Sequence, residues 1–405
     1  MQETATSLLW IVVCTVLAPL LAGLTPRRLV SEVVFLLALG VLIGPHVVGV
    51  ADTTDTIELL RELGLGMLFL LAGYEIELHE LTGPAGRRAC ATWVICLLTA
   101  LAVVWLLNRY DPVHAEVAVA IALTSTALGT LLPILKDSGL SGSRLGVAVM
   151  HHGAYGELGP VVAMALLLGI RGPFSSMLVL LAFGLAAVAV SMVSTRLQRE
   201  GSRLLTLIRA GAETTAQTLV RLSMLLLVAL GTLAVLLDLD IVLGAFAAGI
   251  VLRQLLPVGH PTLELRLNGL AFGFFVPIFF VTSGMAIDPA AVASEPGVLT
   301  AFIVLIVVIR GGVVLASEWW GSRSTARSSR RELLATSLFA ATGLPIIVAV
   351  TSAAVTSGQM DPRNASLMVA GGAVTVLVCP FAAALLLSGR HQGVNTEPPP
   401  TPPPH

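Results

Sequence analysis

Apolar windows of roughly 20 residues recur from one end of this chain to the other, each enough to cross a hydrocarbon core of about 30 Å as a helix. An early one reads SLLWIVVCTVLAPLLAGL and the last reads ASLMVAGGAVTVLVCPFAAALLLS. A segment surrounded by lipid tails must satisfy its own backbone, which favours helices. The windows fall at about 7–25, 29–49, 56–78, 89–107, 114–135, 144–170, 174–194, 218–237, 239–255, 267–287, 297–317, 332–356 and 365–387, about thirteen in all. Charged residues make up 12% of the 405, about half of what a soluble chain carries. The net charge of -1 therefore reflects scarcity of charge rather than a balanced polar surface. The chain reads as an all-α polytopic membrane protein, and nothing in it suggests nucleic-acid binding.

Loop charges test this count and set an orientation. With the N-terminus outside, 18 of the 23 lysines and arginines fall on the inner side. Arg61, Arg109, Arg171 and Arg363 fall outside, and Arg310 alone lies mid-span. Cytoplasmic loops hold the basic residues, so this split places the C-terminus in the cytoplasm of a multi-pass cell-membrane protein. The start, MQETATSLLWIVV, has no basic lead, so no cleaved signal peptide is expected. Residues 391–405, ending EPPPTPPPH, are expected to be a disordered cytoplasmic tail. Cys14, Cys90, Cys96 and Cys379 lie in or beside spans without ligand-like spacing, and read as small packing residues. No resident cofactor or metal is expected.

Thirteen spans divide as six, one and six, giving two six-helix repeats of opposite orientation: about 7–170 and 218–387, joined by a linker helix at about 174–194. Transporters built on inverted repeats bind their cargo near the midplane, between interrupted helices at equivalent places in the two halves. The fifth span of each repeat carries such a signal. One reads LTSTALGTLLP, with Thr124, Ser125, Thr126 and Gly129; the other reads FAATGLPIIV, with Thr342, Gly343 and Pro345. Glycine and proline break helices, and a break at membrane depth persists only where protein or water satisfies the backbone. A single such site reads equally as a packing kink; the matched position in both halves argues for a pair of broken helices.

Charged residues at membrane depth mark ion paths by default, because each costs about 3 kcal/mol or more unless paired, hydrated or neutralised. Glu157, in HHGAYGELGP, lies midway along the sixth span. It can hold a proton in one state and a cation in another; the bland alternative is a permanently neutral, hydrogen-bonded glutamate. Arg310, in VLIVVIRGGVV, stays protonated and so cannot carry protons. It reads as fixed positive charge, compensating a carboxylate (Glu157, Glu75 or Glu77) or the C-terminal dipole of a half-helix. Glu75 ends the third span and reads equally as a solvated helix end. Histidine is the side chain whose ordinary pKa lies nearest neutral pH, so His151 and His152 could sense it, or simply pack. Asp238, Asp240 and Asp288 are expected in solvent.

These residues bring a family into view. VLIGPHVVGV (41–50), LGMLFLLAGYEIEL (65–78), LTSTALGTLLPILKDSG (123–139), LGAFAAGIVL (243–252) and GFFVPIFFVTSGMAIDP (273–289) resemble the cation:proton antiporter-2 family, the monovalent cation/proton exchangers. The resemblance runs from about residue 8 to 387. It implies two crossed, unwound helices, a dimerisation panel and a mobile core that works by alternating access. It puts the ion-binding carboxylate on Glu157, the position before it on Gly156, and the basic residue of the core on Arg310. The chain departs from the family's usual wording: Glu157 stands where Asp is common, Gly156 where Asn, Asp or Gln is usual, Arg310 where many members have Lys, and Ser125 where some carry an acid. One carboxylate with a permanent cation implies one proton per cation, hence electroneutral exchange of H⁺ for Na⁺ or K⁺. Membrane lipid and a second copy of the chain are the partners implied.

Three rival functions share these features: a proton-uncoupled channel, a sodium-coupled organic-solute symporter of related fold, and a non-transporting sensor. No GxSxG, HExxH or paired-acid constellation supports an enzyme.

Overall fold

The computed structural model describes residues 2–24, 31–76, 83–110, 115–168, 173–199, 217–255, 261–322 and 329–388. Glu77, His79, His114, His260 and the tail 391–405 lie outside them. Every expected span is occupied by helix: α1 (Gln2–Leu24), α2 (Glu32–Ile43), α3 (Asp55–Glu75), α4 (Pro84–Leu107), α5a (Glu116–Ala122) and α5b (Leu128–Asp137), α6 (Arg144–Leu167) and α7 (Pro173–Arg199). There follow α8 (Thr218–Leu236), α9 (Ile241–Leu255), α10 (Pro261–Leu270 continuing through a π turn into Val276–Met285), and α11 (Pro296–Leu305 continuing through a π turn into Gly312–Ser322). Last come α12a (Arg330–Ala340), α12b (Leu344–Thr356) and α13 (Pro362–Ser388). Seven segments among the described residues are long and apolar enough to cross a membrane by length and composition alone, and three shorter apolar helices accompany them. The chain is a multi-pass, nearly all-helical membrane protein.

Local chemistry explains the irregular places. α2 stops at Ile43 rather than running to Gly49, because Gly44 and Pro45 follow and Gly49 takes φ +67°. The π turn Ala271–Phe275 directly precedes Pro277, whose ring would clash with the carbonyl four residues back in a regular helix. Asp240, expected in solvent, instead accepts the Val242 N–H at 2.8 Å and caps α9; Asp288 does the same for Ala290 at 2.9 Å.

The two halves exchange partners. α2 packs on α10 and α3 packs on α9, while α1 pairs with α2 as α8 pairs with α9, and α4 with α6 as α11 with α13. Both crossed pairs approach to backbone contact through glycine. A methyl on Gly40 would sit 2.1 Å from the Val281 carbonyl oxygen, and one on Gly284 would sit 2.2 Å from that of Leu37. Gly73 and Gly249 meet the same way, against Phe246 and Leu70. Helices in lipid gain little from burying apolar surface, so close van der Waals packing through small residues holds them together. At the centre lies the segment containing α12a and α12b, with 89% of its apolar window buried against 22% for α1 and for α4. Leu9, Leu17, Leu98, Trp105, Leu225, Val308 and Trp320 remain exposed on the outward faces, where lipid covers them.

Gly249→Ala should therefore lower thermal stability in detergent by about 1–3 kcal/mol. Gly312→Ala, where an added methyl meets nothing within 4 Å, should leave the melting temperature at or above that of the parent.

Candidate functional site

The site begins with a missing donor. Pro160, inside α6, has no N–H to offer the carbonyl of Gly156 four residues earlier. That free carbonyl accepts the N–H of Thr126 at 3.0 Å. Thr126 sits in the gap between α5a and α5b, where the backbone is not helical, and its N–H would otherwise be unpaired in a dry interior. The rest of the gap is satisfied across the second break. Ala127 N–H donates to the Thr342 carbonyl, the Thr126 hydroxyl donates to the Ala340 carbonyl at 2.6 Å, and the Ser125 hydroxyl donates to the carbonyls of Ala122 at 2.7 Å and Gly343 at 3.3 Å. Thr124 and Thr342 turn their hydroxyls back onto their own helices, to Ile121 and Phe339, both at 2.8 Å. Gly343 is required by this crossing, since a Cβ there would lie 1.9 Å from the Ser125 hydroxyl oxygen. Pro345 opens α12b at its first turn, the place in a helix where its missing N–H matters least. Gly129 falls inside the first turn of α5b rather than in the break.

Glu157 closes the arrangement from α6. Its Oε1 accepts the N–H of Leu128 at 2.7 Å and of Gly129 at 3.3 Å, so the carboxylate caps the N-terminus of α5b and meets the positive end of that half-helix. The side chain is 3% exposed, and Oε2 is buried with no hydrogen-bond partner among the described residues. Glu75 is the last residue of α3.

Arg310 is fully buried, yet no described carboxylate lies within ion-pair distance of it, contrary to the expected pairing with Glu157 or Glu75. Its Nη2 donates to the His152 carbonyl at 2.6 Å, Nε to the Thr126 hydroxyl at 3.0 Å, and Nη1 to the Cys96 sulfur at 3.8 Å. Because Thr126 passes its own proton to Ala340, the guanidinium reaches the C-terminal carbonyls of α12a through one hydroxyl. Glu77, the third carboxylate expected as a partner, lies outside the described residues. Gly156 makes the room for Arg310: a Cβ there would lie 2.5 Å from Arg310 Nη2 and from Thr126, so the missing side chain is the slot that admits the guanidinium. Arg310 itself sits in the π turn Ile306–Gly311 of α11.

The two histidines separate. His151 is half-buried and bonds through Nδ1 to the Val147 carbonyl of its own helix at 2.9 Å. His152 is buried, and its Nε2 meets Glu318 Oε1 at 2.9 Å, while Nδ1 has no partner among the described residues. Glu318 and Cys96 are the neighbours that sequence reasoning missed. Glu318 lies 166 positions from His152, and only the packing of α11 near α6 joins them.

A cavity of about 520 Å³ leads toward this site. It is walled by the end of α1, the start of α2, the middle of α10 (Phe272, Val276, Pro277 and Phe280), the end of α13, and α5b, and it reaches Gly129 and Thr130. A second cavity of about 280 Å³ opens at the other ends of α10 and α13, beside the start of α3 and the end of α12b.

Two crossed broken helices, a buried carboxylate beside them, and cavities toward both faces are the architecture of a membrane transporter for small ions. Residues 12–389 match the transmembrane sodium/hydrogen exchanger family, and the chain belongs to that family of monovalent cation:proton antiporters. It is 24% identical over 289 residues to the probable Na⁺/H⁺ antiporter GerT of Bacillus cereus, covering 70% of this chain and 74% of that one. It is 26% identical over 369 residues to chloroplastic K⁺ efflux antiporter 1 of Arabidopsis thaliana, covering 87% of this chain but only 30% of the plant protein. The structure of the sodium proton antiporter MjNhaP1 from Methanocaldococcus jannaschii at pH 8 superposes with a TM-score of 0.65 at 16% identity, covering 97% of this chain and 100% of that one. Exchange of cations for protons is thus favoured over the symporter and channel readings.

Adding a side chain at Gly156 should expel the guanidinium. Gly156→Ala should destabilise the protein by about 1–3 kcal/mol, read as a fall in melting temperature. Combined with Arg310→Lys, whose head is smaller, the loss should be less than the sum of the two single losses, a non-additivity that a double-mutant cycle measures.

Proposed function

We propose that this chain exchanges one proton for one Na⁺ or K⁺ at a single site, the Glu157 carboxylate, by alternating access. The observation that carries the reading is the half-satisfied carboxylate. Oε1 is anchored by two backbone N–H groups, and Oε2 is buried without a partner among the described residues. Such an oxygen is open to a proton or to an alkali cation. The two compete because each neutralises the same charge. The hydroxyls of Thr124 and Ser125 spend their protons on carbonyls, which leaves oxygen lone pairs as supplementary ligands, whereas the Thr126 oxygen is taken by Arg310 Nε. Gly156 contributes room rather than a ligand. Arg310, held by His152, Thr126 and Cys96, supplies a charge that stays constant through the cycle, so the net change at the site is one positive charge in and one out. That makes exchange electroneutral.

In this reading α5b, α6, α12b and α13 move as a core against α1, α2, α3 and α10. The cavity that reaches Gly129 is the inner vestibule, with the N-terminus outside and the C-terminus in the cytoplasm of the cell membrane. The two six-helix repeats flank α7 as linker, and two copies of the chain pair through the outer helices. Glu75 tunes the charge at Glu157. His151 and His152 act on pH response through Val147 and Glu318 rather than by touching the cargo.

Glu157→Gln is expected to abolish cation-driven proton movement in everted vesicles, followed with a pH-sensitive dye, while leaving insertion and melting temperature intact. Normal exchange in that variant would remove the assignment. In the parent, protonation withdraws the competent site, so the apparent affinity for cation should fall about tenfold per pH unit on the acid side and level off on the alkaline side. The rate at saturating cation should change far less. A clamped membrane potential should leave the rate unchanged.

A further inference from the structure

The second cavity carries a feature that cation binding does not explain. It is the smaller one, and its walls include Glu58, Arg61, Thr282, Ser283, Thr351 and Ser352. Arg61, on the first turns of α3, is clasped by Glu58 one turn earlier, with Nε 2.9 Å from Oε2 and 3.0 Å from Oε1. The pair is local to one helix and cancels its own charge, so it does not repel cations arriving from that face. It also fixes the guanidinium in one orientation. From there Nη2 donates to the Ser352 hydroxyl at 3.2 Å, on α12b, 291 positions away. A parallel stitch joins α13 to the end of α10: the Ser366 hydroxyl donates to the Ala286 carbonyl at 3.1 Å and accepts the Asp288 N–H at 3.3 Å. Both sets of bonds cross between the helices read above as fixed and those read as moving. Both lie at the narrow end, opposite the cavity that reaches Gly129.

We propose that Arg61 and Ser352 form a latch that holds the Glu58-side cavity closed, and that Glu157 becomes open to that face only when Arg61 releases Ser352. This rests on the alternating-access reading above. Release is easy to reverse. Arg61 keeps Glu58 when it lets go, so the guanidinium is never left unpaired, and only one bond to a hydroxyl is exchanged for water. Losing one hydrogen bond from a charged donor at a partly wet position shifts a two-state balance by about tenfold. That is enough to set which face is open at rest and small enough for ion binding to overcome. Arg61 is a positioning residue here, because it touches neither the cation nor Glu157.

The test uses the full chain in sealed vesicles of both orientations, with a membrane-impermeant thiosulfonate as probe. Ser283→Cys reports the smaller cavity and Thr130→Cys the larger, and labelling of the native cysteines in the parent is subtracted. Ser352→Ala is expected to raise labelling at position 283 about tenfold and to lower it at position 130. Ser352→Thr, which keeps the hydroxyl, is expected to return both rates to those of the parent. The latch is overturned if Ser352→Ala and Arg61→Ala both leave the two rates unchanged while an imposed cation gradient still drives them in opposite directions. If the gradient moves neither rate, alternating access itself fails and the latch fails with it.

Discussion

Two helices interrupted at membrane depth leave backbone donors and acceptors that no water can satisfy, and the centre of this protein is organised around pairing them. Pro160 releases the Gly156 carbonyl for Thr126. The second break takes the Ala127 N–H and the hydroxyls of Ser125 and Thr126, and Glu157 takes the first N–H groups of α5b. Each partner is needed because the unpaired alternative in a dry interior costs a few kcal/mol. The proposed ion site follows from the same rule: Glu157 caps a half-helix with one carboxylate oxygen, and in the proposed reading the other oxygen takes the cargo.

The fixed charge follows the same logic. A buried guanidinium with no carboxylate at hand is expensive unless its donors are filled. Arg310 fills them with a carbonyl, a hydroxyl and a sulfur, and it neutralises the negative end of α12a through Thr126. A carboxylate partner would have made Arg310 a competitor for Glu157. Arg310 and Glu157 instead keep separate partners, as the proposed exchange at Glu157 requires. The space for this arrangement is the volume of one absent side chain, at Gly156.

Much of this was legible in the sequence. Span positions followed from apolar run length. Both breaks followed from Thr, Gly and Pro at matched places, and the depth of Glu157 and Arg310 followed from the runs around them. What was not legible depends on distance in sequence. Gly156 reads only as a departure from the family's usual Asn, Asp or Gln until Arg310, 154 positions later, is seen in the space beside it. His152 reads as one of a pair with His151 until α11 brings Glu318 to it. Gly129 reads as part of the break because glycine usually marks one, whereas here the helix resumes at Leu128 and uses the Gly129 N–H on Glu157. Asp240 reads as a solvated loop acid because capping depends on backbone geometry that the short DLD connection does not reveal.

The central claim is that proton and cation share the Glu157 carboxylate. Counting protons released as cation binds tests it most directly, with purified protein in detergent, a pH-sensitive dye and weak buffering. At a pH where Glu157 is protonated at rest, titration with the transported cation should release one proton per chain, and Glu157→Gln should release none. Cation binding without proton release, or release that persists in the glutamine variant, would contradict the account.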